Sequence, residues 1–483
     1  TVDNFFNIDI SKDEIIFCLQ SLNDENKIIV DNKRYYLKNI YDAEINIASF
    51  CTYLSKNINN KKINKNLDDL ESYFSLKYNK EQKLAIKKSM ENNFLIITGG
   101  PGTGKTTIIK GIVELYKEIN NLSYEKLIEE IVLLAPTGRA TKRISETTLL
   151  PAVTIHRFLK WNKETNSFGI NEHNKALVRF IIIDEASMID TFLLDSLIKG
   201  LGKNIKLILV GDFNQLPSIG AGQVLKDLIE SDVLDVIFLK TLYRQEENSL
   251  IIPLAHDINN GVIDLDYLNK ENDCKFIDCK PNDIQSCIKI ICEAKLNESL
   301  NCKNIQVLVP LYRGENGIDN LNRMLQQVFN PKSSSKKEIR IDDVIYREQD
   351  KILQLVNMID NNIFNGDIGI IDKIVIENKK EIYINFDGNI IKYTPSNFNN
   401  IKHGYAISVH KSQGSEFDIV IMPMSISYGR MLYRKLIYTG VTRTKKEVFI
   451  VGEKNALING ILNNETNIRQ TSLKELLSKM VLN

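Results

Sequence analysis

The chain has few of the features that mark membrane, secreted or metal-cluster proteins. Its 483 residues contain no apolar run near the ~20 residues that a membrane-spanning helix needs, and no signal peptide opens it, so no membrane partner is expected. Its seven cysteines include no C-x-x-C pair, which disfavours a metal cluster and predicts reduced thiols in the cytoplasm. The net charge is only +1, so nucleic acid could be bound only by local basic patches.

The length and the hydrophobic content indicate a chain with several cores. At ~150 residues per domain, 483 residues predict about three domains, and 43% hydrophobic residues can fill them. The chain begins at Thr1 without a methionine. We therefore expect a missing upstream region, and a missing or short N-terminal region leaves a protein partner open.

The most informative stretch runs from residue 94 to residue 107. Phe94 to Thr98 are apolar and β-prone, which predicts a buried strand. Gly99 to Thr106 then fit G-x-x-x-x-G-K-[ST], the pattern of a phosphate-binding loop, and apolar residues at helical spacing follow. The glycines let the backbone turn its N–H groups toward phosphate oxygens. The pattern therefore predicts that ATP and Mg²⁺ bind here.

Individual residues of this loop have distinct expected roles. Lys105 supplies a point charge for the β- and γ-phosphates, and Thr106 supplies a hydroxyl for Mg²⁺. Gln82, just ahead of the first strand, can read an adenine edge by paired hydrogen bonds. The predicted nucleotide-binding residues of this region are Gln82, Gly100, Gly102, Thr103, Gly104, Lys105, Thr106 and Thr107.

A second apolar strand, Phe180 to Ile183, ends in two carboxylates. Asp184 is placed to hold Mg²⁺ with Thr106, and Glu185 to orient or deprotonate the attacking water. Farther along the chain, Gln215 follows another strand and is placed to contact the γ-phosphate and that water, and Arg244 is a cation aimed at the nucleotide. Strand, loop and helix repeat here, which predicts a parallel sheet with ligands at the strand C-termini.

The pattern along the chain predicts three domains and two smaller features. Residues 1–75 are expected to be mainly helical and winged-helix-like, with a capping box at Ser11 and a short hairpin. Two α/β domains follow at 76–255 and 256–483. Residues 331–340 indicate a mobile basic loop, and short strands at about 343–395 suit a small inserted β-barrel. Residues 160–176 lack helical periodicity and predict a protruding hairpin, placed at about 157–176.

Taken together, the motifs resemble a known family. Gly-Gly-Pro-Gly-Thr-Gly-Lys-Thr, Ala-Pro-Thr-Gly-Arg-Ala, Thr-Ile-His-Arg, Asp-Glu-Ala-Ser-Met, Gly-Asp-Phe-Asn-Gln-Leu-Pro, Tyr-Arg-Gln, His-Lys-Ser-Gln-Gly-Ser-Glu-Phe and Val-Thr-Arg occur in the family's order. Over residues 41–453 the chain resembles superfamily 1 DNA helicases of the RecD-like group. One departure is Thr444, where the family usually has alanine.

The resemblance implies a fold and a mechanism. It implies two RecA-like domains with ATP between them, single-stranded DNA across their top, a hairpin "pin" between Arg157 and Asn174, an SH3-like insertion and 5′→3′ movement. The implied activity is unwinding of DNA at single-strand/duplex junctions in repair or recombination. The implied catalytic residues are Lys105, Glu185, Gln215, Arg244 and Arg443, the second domain adds Gly414 and Glu416 to the nucleotide site, and the implied DNA-binding residues are Thr137, Arg139, His156, Arg157, His410 and Lys411.

Other functions compete with that of a DNA motor. A ring-forming P-loop ATPase that remodels proteins usually receives its arginine from a neighbouring subunit, whereas this chain carries Arg443 itself, so a monomer is expected. A nucleic-acid-binding protein could use ATP only as a switch, and then no turnover or strand separation would follow. RNA also stays open as the track, because the residues expected near the sugars do not reveal whether a 2′-OH is tolerated.

Overall fold

The structure, a computed structural model, describes residues 11–56, 77–241, 249–262, 273–358, 361, 363–376, 379–464 and 469–482. The N-terminal part contains helix α1 (Lys12–Asp24), the antiparallel strands β1 (Ile28–Asp31) and β2 (Arg34–Leu37), and helix α2 (Lys38–Lys56). Helix α1 begins at the capping box that the sequence predicts: the Glu14 N–H donates to Ser11 Oγ, and the Ser11 N–H donates to Glu14 Oε2.

The first α/β domain alternates strands with helices. Its elements are α3 (Lys80–Glu91), β3 (Phe94–Gly99), α4 (Lys105–Asn120), α5 (Tyr124–Glu130), β4 (Ile131–Ala135), α6 (Gly138–Thr148), β5 (Ala152–Thr154), α7 (Ile155–Phe158), β6 (Trp161–Asn162), β7 (Ser167–Phe168), β8 (Phe180–Ile183), α8 (Thr191–Lys199), β9 (Lys206–Gly211), α9 (Val224–Glu230) and β10 (Val236–Leu239). Six strands form a parallel sheet in the order β10-β3-β9-β8-β4-β5. Helices cover both faces, and the central strands are accordingly mostly apolar and buried.

The second α/β domain is interrupted by an antiparallel insertion. It begins with α10 (Ile251–Asn260), β11 (Cys274–Asp278), α11 (Ile284–Asn297), β12 (Ile305–Val309) and α12 (Ile318–Phe329). The insertion contains β13 (Glu338–Ile341), β14 (Val344–Arg347), β15 (Lys351–Gln354), β16 (Ile368–Val375), β17 (Glu381–Phe386), β18 (Asn389–Tyr393) and β19 (Ile401–His403). The domain then resumes with β20 (Ala406–Ser408), β21 (Phe417–Met424), α13 (Arg434–Val441), β22 (Thr444–Gly452), α14 (Lys454–Leu462) and α15 (Leu473–Leu482).

The two sheets of this part differ in direction. The domain sheet is parallel, in the order β11-β22-β21-β12-β20. The insertion has a five-stranded antiparallel sheet, β18-β17-β16-β15-β19, and the hairpin β13-β14. The edge strands β18 and β19 are not paired with each other in the described residues, but the hairpin and the sheet share one apolar core. The fold class is therefore the one that the sequence predicts, with an SH3-like insertion that is open at one seam.

The structure moves several predicted boundaries. The insertion runs from Glu338 to His403, so 343–395 was too narrow, and part of the expected loop 331–340 is strand β13. Helix α10 packs entirely in the core of the second domain, so a boundary at 255/256 would cut a helix. Helix α15 returns to the first domain and packs with α2 and α9. The apolar faces of α2 and α15 explain this return, because both are buried in the same core of the first domain.

Candidate ATPase and DNA site

Three neighbouring strands bring the main motifs to one edge of the first sheet. Strand β9 lies between β3 and β8, with Thr98 paired to Gly211 and Ile183 to Leu209. Because the strands are parallel, their carboxyl ends meet at one edge. The phosphate-binding loop, the loop from Asp212 to Gln215 and the pair Asp184–Glu185 therefore lie side by side, although up to 116 residues of sequence separate them.

The phosphate-binding loop is held in a shape that only glycine allows at Gly104. This residue has φ +79°, and a Cβ there would lie 2.5 Å from Gln82 Nε2. The Gln82 amide donates to the Thr103 carbonyl oxygen (3.1 Å), so Gln82 supports the loop from behind. Lys105 Nζ donates to the carbonyl oxygens of Gly99 and Gly100, each at 2.8 Å. The loop is thus folded around the ammonium group at the start of helix α4, where phosphate groups bind in such folds.

The oxygen ligands predicted for Mg²⁺ fit a hard cation. Asp184 is buried, and burial and the neighbouring Glu185 raise the pKa of its carboxyl group, while Arg143 and Lys105 oppose the rise. Glu185 has φ +52°, and its N–H donates to Asp184 Oδ1 (2.8 Å). A carboxylate oxygen and the Thr106 hydroxyl match the preference of Mg²⁺, which keeps substrate phosphates and waters as its other ligands. Among the described residues no group of three or more His, Cys, Asp and Glu could hold a metal by itself.

Helix α13 of the second domain forms hydrogen bonds with the loop that follows β9. Lys435 Nζ donates to the Phe213 carbonyl oxygen (3.1 Å), and the Leu216 N–H donates to Thr439 Oγ1 (3.0 Å). The Tyr438 hydroxyl donates to Asp212 Oδ2 (2.8 Å). The structure therefore brings the two α/β domains together directly at the nucleotide-binding edge.

The remaining nucleotide-site predictions from the second domain lie in the same region. Arg443 is 3% exposed, and its guanidinium donates to the carbonyl oxygens of Thr439 (3.3 Å) and Ser415 (3.4 Å). Gly414 has φ +74° and packs close to Thr137. Glu416 forms an ion pair with Arg143 of helix α6 (3.2 Å), so it joins the two domains. Direct contacts of Glu416 and Gly414 with nucleotide stay predictions.

The predicted DNA-binding residues of the first domain lie along α6 and α7. Thr137 caps α6 by accepting from the Ala140 N–H (3.3 Å). Arg139 is largely buried, pairs with Asp367 of the insertion (3.4 Å) and donates to the Ser415 hydroxyl. His156 and Arg157 are exposed on α7. The first pair of residues is therefore engaged in contacts within the protein, and the second pair is open to solvent.

The insertion reaches both predicted DNA-contact segments. A Cβ at Gly138 would overlap the ring of Phe364, and Lys411 Nζ donates to Asn365 Oδ1 (2.6 Å). His410 is half-buried, and burial lowers its pKa. A cavity of about 670 Å³ lies between α6, the insertion and the segment that contains Ser415. Of the predicted DNA-binding residues, Arg139 and Arg157 line this cavity, and the predicted nucleotide-site residue Glu416 lines it as well.

The sequence analysis missed three residues of the site, and one residue that it predicted is not described by the structure. Arg244 lies outside the described residues. Arg143 is four residues after Arg139 on α6, and helical periodicity alone could have suggested it. Asp212 and Tyr438 carry the contact between the domains, but their separation of 226 residues gives no local signal.

Comparisons with known proteins agree with this arrangement. Family models match residues 82–221 (AAA domain), 321–386 (ATP-dependent RecD-like DNA helicase SH3 domain) and 403–451 (UvrD-like helicase C-terminal domain). The RecBCD enzyme subunit RecD of Buchnera aphidicola subsp. Acyrthosiphon pisum is 30% identical, and the alignment covers 91% of this chain and 83% of that subunit. The chain belongs to the RecD-like family of superfamily 1 DNA helicases.

Other relatives of this RecD-like chain differ in length or only share its fold. The ATP-dependent RecD2 DNA helicase of Deinococcus radiodurans is 32% identical over 376 residues, which are 78% of this chain and 49% of that protein. The chain thus spans about half of that relative's length. The crystal structure of Pif1 helicase from Candida albicans is 15% identical with a TM-score of 0.51, and covers 84% of this chain and 100% of that one. A forked-duplex Pif1 structure gives the same TM-score at 18% identity, over 81% and 95% of the two chains.

The comparisons confirm the predicted family, fold class and helicase type of the chain. In the described residues, the helices are all too short or too polar to pass through a lipid bilayer.

Proposed function

We propose that this RecD-like chain is an ATP-driven motor that moves 5′→3′ on single-stranded DNA and opens duplex at single-strand/duplex junctions. The observation that carries the proposal is the interface itself. The phosphate-binding loop, Asp184 and Gln215 lie on the first domain, and Arg443 lies on the second, where it donates to Ser415. Ser415 lines the same cavity as the predicted DNA-binding residues Arg139 and Arg157. One nucleotide can therefore bind between the two domains and contact both.

Each chemical task of ATP hydrolysis has a residue in this arrangement. Lys105 binds the β- and γ-phosphates, and Glu185 orients or deprotonates the attacking water. Thr106 and Asp184 would hold Mg²⁺, which neutralises phosphate charge when it is bound. Gln215 positions the water, and Arg443 stabilises charge on the phosphoryl oxygens when the domains close. Arg244 is proposed as a further cation.

Movement along DNA needs contacts on both domains. We assign Thr137, Arg139, His156 and Arg157 to the first contact and His410 and Lys411 to the second. ATP-dependent closure changes the distance between these contacts, so the protein advances when they grip alternately. The hairpin β6-β7 projects from the first domain next to His156 and is the proposed wedge at the junction.

The experiment that tests this proposal is steady-state ATPase with single-stranded DNA, with single-stranded RNA and without nucleic acid. We expect a low basal rate, strong stimulation by DNA and weak stimulation by RNA. Equal stimulation by RNA would identify an RNA-tracking helicase. Strong turnover without strand displacement on a forked duplex would leave a DNA-stimulated ATPase.

Lys105→Ala provides the matched inactive protein. It should abolish hydrolysis, because the phosphate charge loses its cation, and it should retain single-stranded DNA binding, because no predicted DNA contact uses the loop. Near wild-type turnover by Lys105→Ala would overturn the assignment of the site. Light scattering on the same samples should show a monomer, whereas a ring would support the remodelling ATPase. A role in repair or recombination and a protein partner are tested by assays in cells.

A further inference from the structure

Asp212 is the point where three hydrogen-bond donors meet at the nucleotide edge. It is fully buried, directly after strand β9. The Asn214 N–H donates to its Oδ1 (3.0 Å), and Gln215 Nε2 donates to its Oδ2 (3.2 Å). The Tyr438 hydroxyl, from the other domain, donates to the same Oδ2 (2.8 Å). A carboxylate that accepts several hydrogen bonds in a buried place holds its donors firmly.

This contact decides which end of the Gln215 amide is free. A carboxylate only accepts, so the amide must turn its NH₂ group toward Asp212. Its other end, Oε1, is buried and accepts no hydrogen bond from the described residues. Gln215 also lines a small cavity of about 30 Å³, which is room for a water molecule. Gln215 is therefore set to accept a hydrogen bond from water rather than to donate one.

Tyr438 belongs to the second domain but lies at the nucleotide edge of the first. It is 3% exposed on helix α13, and burial and the Asp212 carboxylate raise its pKa, so it remains a donor at neutral pH. A Cβ at Gly100 of the phosphate-binding loop would lie 3.3 Å from its hydroxyl oxygen. The hydroxyl thus lies close to the loop and hydrogen-bonds to the carboxylate. If α13 moves away, Asp212 keeps only donors from its own loop.

We propose that Tyr438 is a positioning residue for ATP hydrolysis, which acts through Asp212 to hold Gln215 with its oxygen toward the attacking water. The proposal rests on the proposed ATPase function and adds to it a link between the two domains. Docking of α13 adds the Tyr438 hydroxyl to the Asp212 carboxylate that holds Gln215, so hydrolysis is coupled to closure through this hydroxyl group. Tyr438 itself touches no reacting atom.

The test is Tyr438→Phe, which removes the hydroxyl and keeps the ring. We expect the DNA-stimulated kcat to fall roughly tenfold, while the KM for ATP and the affinity for single-stranded DNA stay within about twofold, because the lost bond orients water rather than substrate. The matched control is Tyr428→Phe. Tyr428 is an equally buried tyrosine of the same domain, whose hydroxyl donates to the Asn316 carbonyl oxygen (2.9 Å) away from the interface. Its kcat should remain that of the wild type.

A double variant separates positioning from packing. Asp212→Ala should lower kcat at least as much as Tyr438→Phe, and the combination should be no worse than Asp212→Ala, because both changes break one chain of contacts. The proposal is overturned by wild-type kcat in Tyr438→Phe, by an equal loss in Tyr428→Phe, or by losses that multiply in the double variant. An inactive wild-type protein would instead refute the proposed ATPase, so the two failures are distinguishable.

Discussion

At the scale of single residues, the buried carboxylates differ in what surrounds their charge. Asp184 lies near Arg143 and Lys105, and Asp212 accepts from three donors. Glu44 of helix α2 has no such cation beside it in the part of the chain that the structure describes. It is 1% exposed, accepts from the Ser472 N–H (2.7 Å) ahead of helix α15, and burial raises its pKa to about 7. Glu44 therefore anchors α15, and the free-energy cost of burying its charged form depends on pH.

Glu44 provides a prediction about stability and pH. The pKa of Glu44 in the folded chain is about 7, above the ordinary value of 4.5. Between these two pH values the folded chain therefore keeps a proton on Glu44 that the unfolded chain has lost. Its contribution to the free energy of unfolding is therefore greatest below about pH 4.5 and declines as the pH rises to about 7. Glu44→Gln keeps an acceptor for Ser472 and removes the charge. We expect this variant to be more stable at pH 8 by roughly 1–3 kcal/mol.

The measurement is denaturant unfolding at pH 5 and pH 8, followed by near-ultraviolet circular dichroism. The difference between Glu44→Gln and the wild type should be larger at pH 8. Glu25→Gln, an exposed carboxylate in the N-terminal region, is the control and should show no such pH dependence. Equal effects of Glu44→Gln at both pH values would contradict the raised pKa.

At the scale of elements, the hairpin β6-β7 is small and anchored by aromatic rings. The ring centroids of Trp161 and Phe168 lie 4.7 Å apart across the two strands, and the His156 ring lies 6.0 Å from Phe168. Each strand has only two residues. An aromatic cross-strand pair stabilises such a short hairpin. The rings fix its base, and the turn beyond them is exposed.

Shortening this hairpin should separate unwinding from ATP hydrolysis. Replacing residues 162–167 with a Gly-Ser turn keeps Trp161 and Phe168 but removes the projecting tip. We expect loss of strand separation on a forked duplex, while ATPase and translocation on single strands remain, because the catalytic residues lie elsewhere. The assay is fluorescent strand displacement beside single-strand-stimulated ATPase. If both activities fall together, the hairpin is structural and is not a wedge.

Local patterns in the sequence predict strands, helices and loops better than they predict the boundaries between domains. The strand that ends in Asp184 and the loop around Lys105 were predicted correctly, because apolar runs and glycine spacing act over a few residues. The border at 255/256 was wrong, since the amphipathic face of α10 does not reveal which core it joins. The same reason explains why the return of α15 to the first domain was not predicted.

At the scale of the whole molecule, the insertion contacts the helix that carries predicted DNA contacts. Asp367 pairs with Arg139 and Asp387 with Lys142 (2.8 Å), so carboxylates of the insertion neutralise two cations of α6, of which Arg139 is a predicted DNA contact. DNA and the insertion therefore compete for the same charges wherever Arg139 binds a phosphate. Contacts of this kind between domains arise only in three dimensions, and no motif in the sequence predicted them.

Asp367→Asn tests this competition. The amide keeps an acceptor for the Phe364 N–H, which Asp367 now binds at 2.7 Å, but it releases the Arg139 guanidinium. We expect single-stranded DNA to bind roughly threefold to tenfold more tightly, with a salt dependence steeper by about one phosphate contact. Fluorescence anisotropy across a salt series measures both quantities. Asp372→Asn, an exposed residue of the same insertion, should change neither, and weaker binding by Asp367→Asn would refute the competition.

Arg443 gives the prediction that concerns the closure of the whole molecule. Lys105, Asp184 and Glu185 lie on the first domain, whereas Arg443 lies on the second and is held by carbonyl oxygens beside α13. An arginine added to the transferring phosphoryl group can be worth ~10³–10⁵ in rate, and Arg443 can supply it only when the domains close. In the proposed mechanism, DNA that spans both domains binds the closed form better and so raises its population. Arg443→Ala should therefore lose most of the DNA-stimulated kcat, while nucleotide affinity falls only modestly.

The control for this prediction is Arg434→Ala. Arg434 begins α13, the helix that ends just before Arg443, and it donates to the Ile461 carbonyl oxygen away from the interface (2.7 Å). Steady-state ATPase with and without oligonucleotide, beside fluorescent-nucleotide binding, should show a large loss only for Arg443→Ala. The basal rate without DNA should change much less than the stimulated rate, because the open form does not use Arg443. An Arg443→Ala protein that keeps full DNA-stimulated turnover would mean that the first domain completes the chemistry alone, and DNA would then have to stimulate it by another route.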